Sequence, residues 1–367
     1  MRLLVSGGIF LENVAGRRRI GGSGFTAALA ASAYGADVSL ASWVGRTEAD
    51  EALALLAAAG VDCLGVQVLD GPTTEYHISD AADLSMPLPR LVQGAVPSGE
   101  RPALPSAGVV LTFGTPGFDV VRARWLDRAA EGATLLFDRQ GSQSMIMGAA
   151  MAATIPAARR ILLANVYEAF TETKQGSVAE AVKRLPSEDY AAAVLKAGPW
   201  GVLVLDAEGG EKPFGAHEVS VRSIIGSGDV FAGALAAHAA AGDDLAAAAG
   251  VATAAAAAWI SSGDEHPTDD LPARAQAIAA TRAVWVDRRL LEALRFAIET
   301  DPGLKPQVRG HISRGLRYLG METVQTANDT VRAIDLRASG EQGPDPVAAA
   351  VTQTIRWTRE AYGSSCP

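Results

Sequence analysis

Residues Ile225-Gly226-Ser227-Gly228-Asp229-Val230-Phe231-Ala232-Gly233 form the run with the most chemistry in it. Small residues at 226–228 let the backbone come close to a ligand. A helix starting near Asp229 points its free amides and the positive end of its dipole at the same place. Such a turn stabilises negative charge developing on a phosphoryl group. A carboxylate there repels an anion unless it has a task of its own, and taking a proton from an attacking hydroxyl is such a task. The same residues also suit a plain helix start, with Asp229 acting through the dipole. No Lys-Ser/Thr follows, so this is not a lysine-bearing phosphate loop.

A second constellation is Asn165-Val166-Tyr167-Glu168. A strand ends at Asn165 and a helix begins, so Asn165 and Glu168, three apart, share one face of the first turn. An oxygen pair of this kind can hold Mg²⁺ or its waters near phosphate. It is equally a capping box, which needs no metal.

The elements that must position these groups alternate along the chain. Strands are expected at 3–5, 36–42, 61–69, 108–113, 133–137, 161–164, 192–196 and 201–205. Helices are expected at 23–34, 48–59 and 119–130, and residues 223–262 give the glycine turn and two alanine-rich helices. This alternation implies an α/β fold, with right-handed crossovers and a mostly parallel sheet covered on both faces. Such sheets bind ligands beyond the carboxyl ends of their strands, where Asp138, Asn165 and Lys196 fall. Residues 70–105 are proline-rich and read as a flap outside the central sheet. From about 283 aromatic and charged residues rise. Helices expected over 285–298, 311–319 and 346–362 make 283–367 a mainly helical appended region, after a main domain over 1–282.

Composition removes other classes. The chain has 367 residues, 49% hydrophobic and 20% charged, enough apolar residue to exclude disorder as the main state. Its 38 glycines lack a three-residue period, so it is not collagen-like. A net charge of −9, with Arg17-Arg18-Arg19 as the strongest basic cluster, argues against a general nucleic-acid partner. Cys63 and Cys366 fit no zinc spacing, and Cys63 reads as a reduced thiol. The N-terminal apolar stretch is too short for a signal peptide. The run 245–260 is almost all alanine, which reads as a packed helix and not a membrane span. A cytoplasmic protein with no membrane partner is the expectation.

Taken in order, these motifs resemble the PfkB (ribokinase-like) family of sugar and nucleoside kinases over roughly residues 1–280. Gly226-Ser227-Gly228-Asp229 matches the family's G-A-G-D signature, and Asn165-Val166-Tyr167-Glu168 its N-x-x-E motif. Gly21-Gly22 with the following alanine-rich helix matches its N-terminal signature. Leu195-Lys196-Ala197-Gly198-Pro199-Trp200-Gly201 looks like its strand-loop near the nucleotide, and Asp138 falls at a strand-end aspartate. The resemblance implies a ribokinase-like sheet flanked by helices with a small β lid, ATP as donor, Mg²⁺, and a small-molecule alcohol as acceptor. The region after about 283, which the resemblance does not cover, reads as a packing or dimerisation element, so a homodimer is among the expectations.

It further implies Asp229 as catalytic base and Gly226, Ser227 and Gly228 as the anion hole. Lys196, Gly198, Gly201 and Asn165 would lie at the nucleotide. Glu168 would position the metal through water. Glu12, Gly21, Gly22, Thr26 and Asp138 would face the acceptor. The departures from the family pattern lie mostly on that side. Glu12 stands near the usual Asp, Thr26 replaces an Asn, and just 12 residues separate Gly8 from Gly21, so the first lid hairpin is short or missing. Ser223-Ile224 replaces the usual D-T, which removes a carboxylate that helps bind K⁺. A non-catalytic relative would have no need of Asp229. A nicotinamide oxidoreductase is disfavoured because Gly7-Gly8 lacks G-x-G-x-x-G spacing and no acid ends the second strand.

Overall fold

The structure is a computed structural model of the chain. It describes residues 1–14, 16–78, 90–92, 94–95, 104–114, 126, 128–140, 152–185, 189–291, 295–299, 316, 322–324, 331–335 and 346–365. In chain order the first elements are β1 (Leu3–Ser6), β2 (Phe10–Val14), β3 (Arg17–Gly21), α1 (Ser23–Ala33), β4 (Val38–Gly45), α2 (Arg46–Ala58) and β5 (Asp62–Leu69). Then come β6 (Glu75–Ile78), β7 (Arg90–Val92), β8 (Val109–Phe113), β9 (Thr134–Asp138), β10 (Arg159–Asn165), α3 (Val166–Thr173), α4 (Val178–Arg184) and β11 (Ala192–Lys196). Next are β12 (Val202–Asp206), β13 (Glu211–Phe214), β14 (Ala216–His217), α5 (Ser227–Ala241), α6 (Leu245–Ser262) and α7 (Leu271–Ala279). The last elements are β15 (Ala283–Trp285), α8 (Arg288–Leu291), β16 (Arg295–Glu299), β17 (Glu322–Val324), β18 (Val331–Asp335), α9 (Pro346–Tyr362) and β19 (Ser364–Ser365).

Nine strands make the central sheet, in the order β13-β12-β11-β10-β9-β8-β1-β4-β5. The seven from β11 to β5 run parallel, and β12 and β13 close one edge antiparallel. Parallel strands covered on both faces read as continuous apolar runs. Every residue of β1, β4 and β8 is buried. The expected helix over 119–130 lies mostly outside the described residues, as does Cys366.

One face is covered by the alanine-rich helices α1, α5 and α6. Small side chains let their backbones approach closely. At Gly233 on α5 a Cβ would run into the carbonyl oxygen of Ala27 on α1, so glycine sets that crossing. Helix α6 is, among the described residues, the one long and apolar enough to cross a membrane by length and composition. Within it 61% of the 18-residue window is buried inside the protein.

The flap joins a separate four-stranded sheet, β3-β2-β6-β7. The first hairpin is therefore short and not missing: β2 and β3 pair antiparallel from Phe10↔Gly21 to Val14↔Arg17. Strand β6 pairs parallel with β2 and antiparallel with β7.

The region past 283 departs from expectation. Helix α9 forms where a helix was expected, but 285–298 does not make one helix. Trp285 ends a strand paired to β14 and β19, a four-residue helix follows, and Arg295–Glu299 is the centre of a parallel sheet, β17-β16-β18. Phe296 and Ile298 alternate with small or polar residues, a period of two that a helical reading blurs. The helix expected over 311–319 lies outside the described residues except at Leu316, which is helical and buried. The described part of this region thus holds strands as well as helices.

Candidate active site

The carboxyl ends of β9, β10 and β11 carry Asp138, Asn165 and Lys196. The register places Leu163 beside Asp138 and Asn165 beside Lys196. Asp138 and Lys196 thus stand two strand spacings apart, roughly 10 Å, a gap the lysine stem spans over the end of β10. Lys196 Nζ donates to both oxygens of Asp138, at 2.7 Å each. The Asp138 side chain is 0% exposed and that of Lys196 14%. Asp138 therefore presents no surface to an acceptor, and its place is beneath the lysine.

Burial works against the charge of Lys196, but Asp138 and Glu168 outweigh it and hold the amine above its ordinary pKa. Burial raises the Asp138 carboxyl, while Lys196 pulls it down. The paired amine reaches the glycine turn, where a Cβ on Gly228 would lie 3.7 Å from Lys196 Nζ.

The turn is built for close approach. Gly226 caps α5 with φ 78°, a left-handed conformation that favours glycine. No side chain caps this helix end, so the first amides of Ser227–Ala241 have no local side-chain acceptor. A Cβ on Gly226 would lie 3.4 Å from Thr26 Cγ2 and from Trp259 Nε1. Thr26 thus packs its methyl against the turn. Trp259, on α6, donates its indole N–H to the Ile225 carbonyl at 2.7 Å. The Ile225 amide in turn donates to Ser223 Oγ at 3.3 Å. Sequence reasoning missed Trp259, because 34 residues separate it from its partner and no local pattern marks it.

Asp229 lies in the first turn of α5. Desolvation, then the carboxylates of Asp138 and Glu12, raise its pKa well above the ordinary range, against the pull of Lys196. A carboxyl poised this way binds a proton readily.

Asn165 and Glu168 build the capping box. Asn165 Oδ1 accepts from the amides of Tyr167 and Glu168, at 2.9 and 3.0 Å, and Glu168 Oε2 accepts from the Asn165 amide at 2.7 Å. Among the described residues no group of three or more His, Cys, Asp or Glu side chains could hold a metal ion by itself. Four carboxylates nevertheless act on this space, those of Asp229, Asp138, Glu12 and Glu168, against the charge of Lys196. Lys196 balances Asp138 and Arg19 balances Glu12, which leaves the carboxyls of Asp229 and Glu168, and this fits Mg²⁺, which usually takes one or two carboxylates together with substrate phosphates and water.

On the lid side, Glu12 is held by its surroundings. Its Oε1 accepts from the Gly22 amide at 3.0 Å, and its Oε2 from Arg19 Nε and Nη2 at 2.9 and 2.8 Å. A Cβ at Gly21 would meet the Glu12 carboxyl, so a larger residue there would have to displace that carboxylate. Arg19 also donates to the Glu265 carbonyl, tying the hairpin to the loop after α6. Arg19 was not singled out from the sequence except as part of a basic cluster.

Gly198 and Gly201 bracket a short turn after β11, with φ of 59° and 103°. Lys196 is thereby brought to the glycine turn, whereas Gly198 and Gly201 sit on the strand-loop leading away from it.

Several solved structures of like fold are named as kinases. A ribokinase from Cryptococcus neoformans in complex with ADP superposes with a TM-score of 0.61 at 18% identity, covering 75% of this chain and 99% of its own. A nucleoside kinase from Burkholderia thailandensis in complex with ADP-inosine gives 0.60 at 20% identity, covering 77% and 97%. A ribokinase from Thermotoga maritima gives 0.58 at 17% identity, covering 77% and 100%. At these identities the likeness is one of fold. No curated protein sequence matches the chain. The model of the pfkB family of carbohydrate kinases matches residues 11–268, most of the sheet and its lid and the whole glycine turn, and the chain belongs to that family.

Proposed function

We propose that this chain is an ATP-dependent phosphotransferase that moves the γ-phosphate to an alcohol group of a sugar, nucleoside or polyol. The observation that carries this reading is the convergence of Lys196, held by Asp138, on the glycine turn that bears Asp229. Family membership and the ADP-bound ribokinase of like fold support the nucleotide as donor.

In this reading the amides of Gly226, Ser227 and Gly228 and the amine of Lys196 take up charge on the transferred group. Asp229 accepts the acceptor's hydroxyl proton as the oxygen–phosphorus bond forms and the bond to the leaving ADP breaks. Catalysis is placement plus charge stabilisation. Asp138 is a positioning residue, not an acceptor ligand. Thr26, Gly21, Gly22 and Glu12 shape the acceptor side, with Glu12 reaching it as half of an ion pair. Mg²⁺, when bound with the nucleotide, neutralises phosphate charge. Glu168 and Asn165 would hold its water shell from the start of α3 while keeping their capping bonds.

ADP release from ATP, measured over a panel of sugars, nucleosides and polyols, tests the reading. One acceptor class should raise the rate far above hydrolysis. In Asp229→Asn that rate should fall by about 10²–10⁴-fold while ADP binding persists. An active panel member with an unimpaired Asp229→Asn variant would remove the base from the mechanism.

A further inference from the structure

The chain beyond 282 meets the rest of the protein at the turn between β11 and β12. That turn is a single 3₁₀ turn, Gly198–Trp200, closed by the Ala197 amide donating to the Gly201 carbonyl at 2.8 Å. Both flanking glycines have positive φ. Glycine allows many conformations, so contacts from outside add to the turn's own hydrogen bonds in holding one of them.

The C-terminal region supplies those contacts. The Val286 amide donates to the Trp200 carbonyl at 3.1 Å. The Trp285 ring lies against Gly201, where a Cβ would run into the Phe214 carbonyl oxygen of β13 and come within 2.9 Å of Trp285 Cε3. Trp200 is fully buried in a cluster that joins Leu195, Ala197 and Leu203 of the kinase fold to Val284, Trp285, Val286 and Leu316. Strand β15, which carries Trp285, is itself pinned on both sides: Val284 pairs with Ala216 and Ser365, and Trp285 with Ser364. Arg359 of α9 donates to the Ala216 carbonyl at 2.7 Å. Arg289 forks onto both oxygens of Glu211 at 2.8 Å each, fastening the region to edge strand β13. The family match ends at residue 268, so this wall lies outside it.

We infer that β15 with Val286, held by β14, β19 and α9, forms the outer wall of the Lys196–Gly201 turn, with Trp285 a positioning residue for adenine-nucleotide binding. This rests on the nucleotide reading above. The ring of Trp285 packs on the turn at Gly201 beside the Phe214 carbonyl, and β14, β19 and α9 keep the ring in place. Loss of the ring lets the turn relax, and the cost falls on nucleotide affinity.

The test uses the full chain, with ADP as the probe in calorimetry and slow ATP hydrolysis to water as the rate. Trp285→Ala should weaken ADP about tenfold and raise KM for ATP to match, while kcat changes less than about twofold and Trp285→Phe restores most of the affinity. A general loss of stability would not split KM from kcat well below the melting temperature. Arg359→Ala, which removes one bond to Ala216 and leaves the ring, should weaken ADP in the same direction by about two- to threefold. It keeps the question open to measurement if Trp285→Ala does not fold. A folded Trp285→Ala or Arg359→Ala protein with wild-type affinity for ADP overturns the inference. A wild-type protein that binds neither ADP nor ATP overturns the functional reading and this inference with it.

Discussion

Two ion pairs act on Asp229, and they are built differently. Asp138–Lys196 bridges the ends of two parallel strands in the central sheet, with its acid fully buried and its amine turned to the glycine turn. Glu12–Arg19 spans the lid hairpin, with side chains 10% and 16% exposed. In the first pair the acid is structural and the base meets the site. In the second the acid influences Asp229 and the base leads away to the Glu265 carbonyl. In the proposed function the sheet supplies a fixed cation for the donor side. The lid supplies a carboxylate whose charge is already balanced, so its carboxylate is less free to ligate acceptor hydroxyls than an unpaired acid would be.

The contrast can be broken by substitution. Asp138→Asn strips a buried ammonium of its nearest counter-charge, leaving it Glu168 and Asp229, so it should cost about 3 kcal/mol of stability and lower turnover more than tenfold. Glu12→Gln keeps the bond from Gly22 and leaves Arg19 with its carbonyl partner, so about 1 kcal/mol is expected, with the kinetic change in acceptor KM. Urea denaturation and steady-state kinetics read both. Equal costs at the two pairs would mean that the lid pair is as integral as the one in the sheet.

Asp229 sharpens the same comparison through pH. Its carboxyl is raised by desolvation and by an acid from each pair. As a base it must be ionised, so kcat/KM should climb with pH on a limb lying above the ordinary carboxylate range. Its raised folded-state pKa favours the folded state fully below the unfolded value of about 3.9, and that stability is lost as pH rises through the folded value. Asp229→Asn should therefore melt at higher temperature than wild type at neutral pH, the gain vanishing in acid. An acid limb near 4 would place Asp229 in a solvated setting.

Smaller effects are expected farther from the two pairs. Trp259→Phe removes the indole bond to the Ile225 carbonyl and should cost about 1 kcal/mol, with a few-fold loss in kcat. Least of all should be the response to K⁺. Ser223 offers a neutral hydroxyl already engaged with the Ile225 amide, so rates in K⁺ and in a bulky organic cation, at matched ionic strength, should nearly coincide.

What could be read from the sequence was local. The glycine turn at 226–228, the capping box of Asn165 and Glu168, and the strand ends at 138, 165 and 196 all depend on neighbours within a few residues. The pairing of Asp138 with Lys196 spans 58 residues and follows from strand order, which spacing does not reveal. For the same reason Asp138 is expected from the resemblance to face the acceptor and is found under the lysine. Trp259 and Arg19 act through long-range contacts of generic chemistry. Beyond 283 short strands and a one-turn helix follow one another too quickly for periodicity to separate them.

The bare backbone at Gly233 has a mechanical consequence. Because α5 rests directly on α1 there, Asp229 at the head of one helix and Thr26 in the first turns of the other belong to a single platform. In the proposed function that platform fixes the distance from the acceptor's floor to the base. One added methyl group at 233 would wedge the platform apart and so displace the base from the floor, without altering either residue.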